Sequence, residues 1–237
     1  MKRLKRIINN RPVAIMVHGK SISELENRIG EFKKFDLCWA SINHFRLTET
    51  IVEKIGEWLD IIYITSPLRV LQNQYTIREF LDRKANNLWI TTHNINYNQE
   101  KTLIDDSVSH GNFNTLFCFL FYLAKHNLTK TIVLFGADGA KEKTESPYYK
   151  TQEFLLGDLE VSMEDKWEDI YKDTNVANRR FVEFCSYHNV VLPRIINCSK
   201  DSHINCFEKV DYDTAISTLF DIEKRRNWWT RGIRFSR

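Results

Sequence analysis

Val13-Ala14-Ile15-Met16-Val17-His18-Gly19-Lys20-Ser21-Ile22-Ser23-Glu24 reads as a strand, a glycine turn and the start of a helix. The apolar residues from Val13 to Val17 are continuous rather than alternating. Alternation marks a strand with one wet face, whereas a continuous run suits a strand buried on both faces, as in a parallel sheet. The pattern recurs at Leu37-Cys38-Trp39-Ala40-Ser41, Ile61-Ile62-Tyr63-Ile64-Thr65, Leu88-Trp89-Ile90-Thr91-Thr92 and Thr131-Ile132-Val133-Leu134-Phe135. A last run, Val190-Val191-Leu192, leads through Pro193 into Ile195-Ile196.

Helical patterns fill the gaps, over 22–33, 49–59, 75–86, 111–127 and 175–188. The first has start signals: Ser21 and Ser23 are each followed three residues later by Glu24 and Glu26, two candidate capping boxes. Strand–helix alternation predicts an α/β domain in three layers, Rossmann-like and doubly wound around a mostly parallel sheet. Residues 139–174 break the pattern. They are polar, charged and tyrosine-bearing, and an insertion of that length after a strand suits a lid or binding loop.

Composition narrows the class. The 237 residues are 43% hydrophobic and 27% charged, an ordinary globular balance. Phe117–Ala124 is too short to span a bilayer, and Val13–Val17 is too short for a signal-peptide core. Five cysteines (Cys38, Cys118, Cys185, Cys198, Cys206) form no CxxC pair, so reduced thiols, a cytosolic setting and no zinc site are expected. Net charge is +3 but unevenly spread. Residues 1–11 hold five Lys/Arg and 224–237 hold six, neither with an acid. The middle is left with 23 basic against 31 acidic groups, a net of −8. That is not the distribution of a nucleic-acid binder. The end of the chain, Arg225-Arg226-Asn227-Trp228-Trp229-Thr230-Arg231-Gly232-Ile233-Arg234-Phe235, mixes Arg with aromatics. The mixture suits peripheral contact with anionic lipid, and equally a terminal helix packed on the body.

In a doubly wound sheet, ligands sit beyond the carboxyl ends of the strands. Several polar segments fall there. His18-Gly19-Lys20-Ser21 runs onto a helix amino terminus, where free N–H groups and the helix dipole suit a phosphate. Neither a Walker loop nor a three-glycine dinucleotide turn is present. Asn43, after the second strand, offers donor and acceptor together. Ser109-His110-Gly111-Asn112 precedes the apolar helix, and His110 has the chemistry of a general base. Gly136-Ala137-Asp138-Gly139 ends the fifth run, where Asp138 suits a ribose hydroxyl, a metal or a helix cap. Tyr148 and Tyr149 follow, with phenols that suit a phosphate.

These pieces, in this order, resemble the bacterial sialyltransferase-like group. It includes lipooligosaccharide sialyltransferases and the central domain of motility-associated-factor flagellin glycosyltransferases. A hydroxymethylpterin diphosphokinase-like family shares the core. The group's Gly-x-Gly-Pro-Ser-Leu turn matches Val17-His18-Gly19-Lys20-Ser21-Ile22. Its Asn after the second strand matches Asn43, its turn before the apolar helix matches Ser109–Asn112, and its Gly-x-Asp matches Gly136–Asp138. The resemblance covers roughly 12–196 and is most specific from Gly111 to Asp138. The chain departs from it in four ways. Lys20 replaces the proline, His18 stands where the group has a small or amide residue, Tyr148 and Tyr149 are adjacent rather than spaced, and 139–187 hold no histidine where the group has its base. The nearest is His188.

The resemblance implies a glycosyltransferase of surface glycan or lipopolysaccharide synthesis, taking a CMP-linked nonulosonate by direct displacement at the anomeric carbon. It implies no metal or resident cofactor. His18, Gly19, Lys20, Ser21, Asn43, Ser109, Gly111, Asn112 and Asp138 would bind the donor. Tyr148 and Tyr149 would steady the departing phosphate, and His110 would deprotonate the acceptor. Partners are a nucleotide-sugar donor and a glycan or glycolipid acceptor, with no nucleic acid and room for a homo-oligomer. The expected setting is cytoplasmic, peripheral at the inner face of the membrane. The organisation would be a basic tail (1–11), a nucleotide-sugar domain (12–210, lid included) and a helix with a basic aromatic tail (211–237). Two alternatives stay open. One is a Mg-ATP diphosphokinase-like enzyme, with Asp105, Asp106 and Asp138 on Mg²⁺ and Lys20 on the phosphates. The other is a non-catalytic relative of the fold that binds or scaffolds.

Overall fold

The computed structural model describes residues 2–17, 19, 21–42, 59–64, 88–91, 102–103, 115–139 and 174–232. Their eight strands are β1 (Val13–Met16), β2 (Cys38–Ile42), β3 (Leu59–Ile64), β4 (Leu88–Thr91), β5 (Thr102–Leu103), β6 (Thr131–Phe135), β7 (Arg194–Asn197) and β8 (Glu208–Lys209). They form one sheet in the order β5-β4-β3-β2-β1-β6-β7-β8. Every neighbouring pair is parallel. The chain steps outward from β1 to β5, then jumps back to the other side of β1 for β6. The point of reversal therefore lies between β1 and β6, and in doubly wound sheets the ligand crevice lies beyond the carboxyl ends of the strands at that point.

The described helices are α1 (Lys2–Ile8), α2 (Ile22–Phe32), α3 (Thr115–Lys125), α4 (Thr174–Tyr187) and α5 (Tyr212–Gly232). They cover both faces of the sheet. Val13 and Ile15 of β1 and Ile132 and Leu134 of β6 join the core under α1, α3 and α4. Ala14, Met16, Val133 and Phe135 join the core under α2 and α5. Burying both faces is why these strands read as unbroken apolar runs. Phe135 centres the second core, edge-on to Phe32 at 4.9 Å and stacked on Trp39 at 5.9 Å. On the first face, α3 is buried from Leu116 to Ala124. A helix that is apolar all round needs such surroundings.

The parity of β3 depends on one inserted residue. Trp39 pairs with Leu59 and Ala40 with Ile61, so Asp60 is the extra residue of a bulge. Its carboxylate accepts the Trp39 N–H at 3.0 Å and lies 3.4 Å from the Arg11 guanidinium. Arg11 also closes α1, donating to the carbonyls of Ile7 at 2.6 Å and Ile8 at 3.3 Å, and to Leu37 at 2.9 Å. The basic amino-terminal segment is thus bound to the body, with Leu4 and Ile8 fully buried.

Two boundaries differ from expectation. The last strand begins at Arg194, not at Val190. Asn189 turns left-handed (φ 52°) after α4, Val191 is exposed, and Pro193 has no N–H for a ladder. The helix expected over 49–59 meets β3 at Leu59, and its other residues lie outside the described ones, as does 75–86. The expected lid lies outside them too, except at its ends.

Candidate functional site

The turn after β1 and the turn after β6 close on each other. Beyond the regular ladder, the Val17 N–H donates to the Phe135 carbonyl at 2.8 Å and the Gly19 N–H to the Gly136 carbonyl at 2.7 Å. Two glycines permit this. Gly136 has φ +69°, and a Cβ there would stand 2.4 Å from the Val17 carbonyl oxygen. A Cβ on Gly19 would stand 2.5 Å from the Asp138 carboxyl group and 2.5 Å from the Gly136 carbonyl oxygen.

Of the twelve residues that the sequence singles out, Gly19, Ser21 and Asp138 are described, and they come together. Asp138 Oδ2 accepts the Ser21 N–H at 2.9 Å, across 117 residues of chain, and Oδ1 accepts the Ser21 hydroxyl. The Ser21 hydroxyl also meets the Ser199 hydroxyl at 2.5 Å. His18, Lys20, Asn43, Ser109, His110, Gly111, Asn112, Tyr148 and Tyr149 lie outside the described residues, as do Asp105 and Asp106.

This geometry corrects the expected start of α2. Ser21 is the residue before the helix, but it makes no side-chain cap, so the Ser21–Glu24 capping box does not form. Asp138 reaches over from β6 and puts its carboxylate at the positive end of α2 instead. By contrast α5 is capped locally, Asp211 accepting the Thr214 N–H at 2.7 Å. Hydrogen bonds from Thr214 hold the Asp211 carboxyl below the usual carboxylate range.

The backbone around Asp138 is clamped by the loop after β7. Asn197 donates to the Ala137 carbonyl at 2.9 Å. Ser202 donates to the carbonyls of Ala137 at 2.6 Å and Asp138 at 2.9 Å. The His203 N–H donates to the Asp138 carbonyl at 2.6 Å. Lys209 steadies that loop from Asn205 Oδ1 at 2.5 Å. Tyr212, at the start of α5, donates to the Ser21 carbonyl at 3.2 Å, and burial pushes its phenol well up. Asn197, Ser199, Ser202, His203 and Tyr212 carry no local sequence signal. The parallel register of β7 beside β6 brings the first four here, and the start of α5 brings Tyr212.

The chemistry of this hub is that of a fixed polar floor. A phosphate at the start of α2 would meet the Asp138 carboxylate already there, with like-charge repulsion. A hydroxyl of a sugar or ribose would instead find an acceptor. The cysteines offer no thiolate: burial pushes Cys118 and Cys185 up to about 11 and Cys206 up to about 12. His203 is the described histidine at this end of the sheet. His188 follows α4 at the opposite end, remote from the crevice. Among the described residues no three metal-ligating side chains gather, and no helix is long and apolar enough to cross a membrane. Comparison with protein-family models, with curated proteins and with solved structures finds no match to this chain.

Proposed function

We propose that the protein is a glycosyltransferase of the sialyltransferase-like kind, holding a CMP-activated sugar in the crevice between β1 and β6. The reading rests on one observation above all: the Gly19–Ser21 turn and the Gly136–Asp138 turn meet at the point of chain reversal, where doubly wound folds bind nucleotides. The finer architecture, a Rossmann-like fold with a lid over 139–174, belongs to this proposal.

The carboxylate at the start of α2 refines the roles. Asp138 accepts a donor hydroxyl, with Gly19 and Ser21 as the floor beneath it. The donor's phosphate and carboxylate go to the second turn, Ser109–Asn112, with Tyr148 and Tyr149 steadying the phosphate as it leaves. His18, Lys20 and Asn43 complete the donor pocket. The acceptor hydroxyl loses its proton to a histidine, His110 in this assignment, as its oxygen attacks the anomeric carbon and the CMP oxygen departs with the bonding pair. The setting is cytoplasmic, in surface glycan synthesis, with a glycan or glycolipid acceptor.

Calorimetric titration with CMP, UDP, GDP and ATP, each with and without Mg²⁺, tests this. CMP binding that needs no metal is expected. Binding of ATP alone, and only with Mg²⁺, would replace the proposal with phosphoryl transfer.

A further inference from the structure

Because every strand runs the same way, the segments just before the strands share one edge of the sheet, opposite the crevice. Both basic ends of the chain arrive at that edge. Arg11, two residues before β1, lies 3.6 Å from Asp36, two residues before β2. Arg226 of α5 reaches the other oxygen of the same carboxylate at 3.1 Å. The chain's two basic segments, separated in sequence by the whole acidic body, are thus joined through one aspartate.

Glu223 also reaches this edge, accepting the Asp36 N–H at 3.1 Å, but basic groups outnumber the acids there. Lys5 and Arg6 are exposed in the last turn of α1, next to the carbonyls that Arg11 closes. Lys34 is exposed beside Asp36, and Arg225 beside Arg226. Before β6 stands exposed Lys130, whose carbonyl accepts the Arg194 N–H of β7 at 3.1 Å. The same edge also carries apolar groups in water: Tyr187, ending α4, is 82% exposed and Val191, before β7, is 87% exposed. The opposite end is mixed: Asp138, Asp201, Asp211 and Asp213 stand there with Arg28, which pairs with Asp213, and with Lys200 and Lys209. Positive charge with exposed aromatic and aliphatic groups fits the surface of an anionic bilayer, where ammonium and guanidinium groups meet phosphates and apolar groups enter the interface.

We infer that the amino-terminal edge of the sheet is a membrane-docking face, built jointly by α1, the loops before the strands and the end of α5, and specific for anionic phospholipid. The inference is independent of the chemistry at the crevice. It also orients the molecule. Tyr212 touches Ser21 at the crevice while Arg226 touches Asp36, and 14 residues of helix rise about 20 Å at about 1.5 Å each. Docking on this face leaves the crevice open to the aqueous side, about that far from the lipid.

Sedimentation of the full chain with vesicles tests it, using phosphatidylcholine alone and phosphatidylcholine with phosphatidylglycerol. Retention is expected only on the anionic vesicles, and is expected to fall with salt. The decisive variants lie far from the carboxyl end: K5E/R6E and K34E/K130E, with unchanged circular dichroism as the check on folding. Partitioning should drop on the order of fivefold for each positive charge removed, since each basic group near an anionic surface is worth about 1 kcal/mol. V191A/Y187S should weaken it further. Equal retention of K5E/R6E and wild type would overturn the joint face, leaving at most a carboxyl-terminal tail. Retention on neutral vesicles, no retention on either, or binding to a DNA duplex in preference to anionic vesicles would overturn the lipid assignment.

Discussion

Gly136→Ala is expected to be the most damaging small substitution in the described chain. At φ +69° an alanine carries backbone strain of about 1–3 kcal/mol. Its Cβ would also lie 2.4 Å from the Val17 carbonyl oxygen and 2.9 Å from Ile22 Cβ. Neither neighbour is a flexible tip: one is backbone and the other is rooted in α2. Relief requires β1 and β6 to part at the crevice, breaking the bonds from Val17 to Phe135 and from Gly19 to Gly136. A total loss above about 3 kcal/mol follows, or a fall in melting temperature on the order of 10 °C for a chain of this size. Gly19→Ala should act similarly, because the Gly136 carbonyl 2.5 Å from its Cβ cannot swing away as a side chain can. Gly30→Ala is the control: its Cβ meets nothing within 4 Å, and an alanine inside a helix gains about 0.5–1 kcal/mol over glycine. Thermal melts of the three separate crowding from mere loss of glycine. A Gly136→Ala melt within 2 °C of wild type, a shift worth at most about 1 kcal/mol, would contradict the tight junction.

Asp138→Ala is expected to lower both stability and ligand affinity. Removing the carboxylate strips the Ser21 N–H of its acceptor at 2.9 Å and leaves the Ser21 hydroxyl with Ser199 alone. Loss of a helix cap costs about 0.5–2 kcal/mol. Asp138→Asn keeps an acceptor without the charge and should cost less. The effect on CMP has a definite sign in each account. If Asp138 receives a donor hydroxyl, Asp138→Ala removes a charge-assisted bond of about 1.5–3 kcal/mol and weakens binding about 10- to 100-fold. If the phosphate instead seeks the start of α2, deleting the resident carboxylate would strengthen binding. Calorimetry on wild type and both variants distinguishes the two, and tighter binding by Asp138→Ala would refute the hydroxyl role.

The central strands were legible because burial on two faces leaves a mark in sequence. In β1, Val13 and Ile15 face one core while Ala14 and Met16 face the other, so no position tolerates a polar group. Where burial is incomplete the mark misleads. Val190–Leu192 is as apolar as a strand, yet Val191 stands in solvent. The two-residue strands β5 and β8 are too short to pattern. Among the described side chains of α1, Leu4 and Ile8 go fully inside, and the basic residues between them hide that face in the sequence. The Asp60 bulge is likewise invisible until register is known. At the site, Gly19, Ser21 and Asp138 were legible from glycine turns at strand ends. Their supports were not: Ser199 meets Ser21 across 178 residues, and no local spacing encodes a contact of that range.

Hydrogen–deuterium exchange with and without a CMP-sugar tests the central claim most directly, since it reports where the ligand sits. Peptides covering 17–25 and 136–139 should gain protection when the donor is added. The segments before the strands at the opposite edge, 9–12 and 33–37, should not change. Protection confined to that edge, or none anywhere under saturating donor, would contradict a nucleotide-sugar site between β1 and β6.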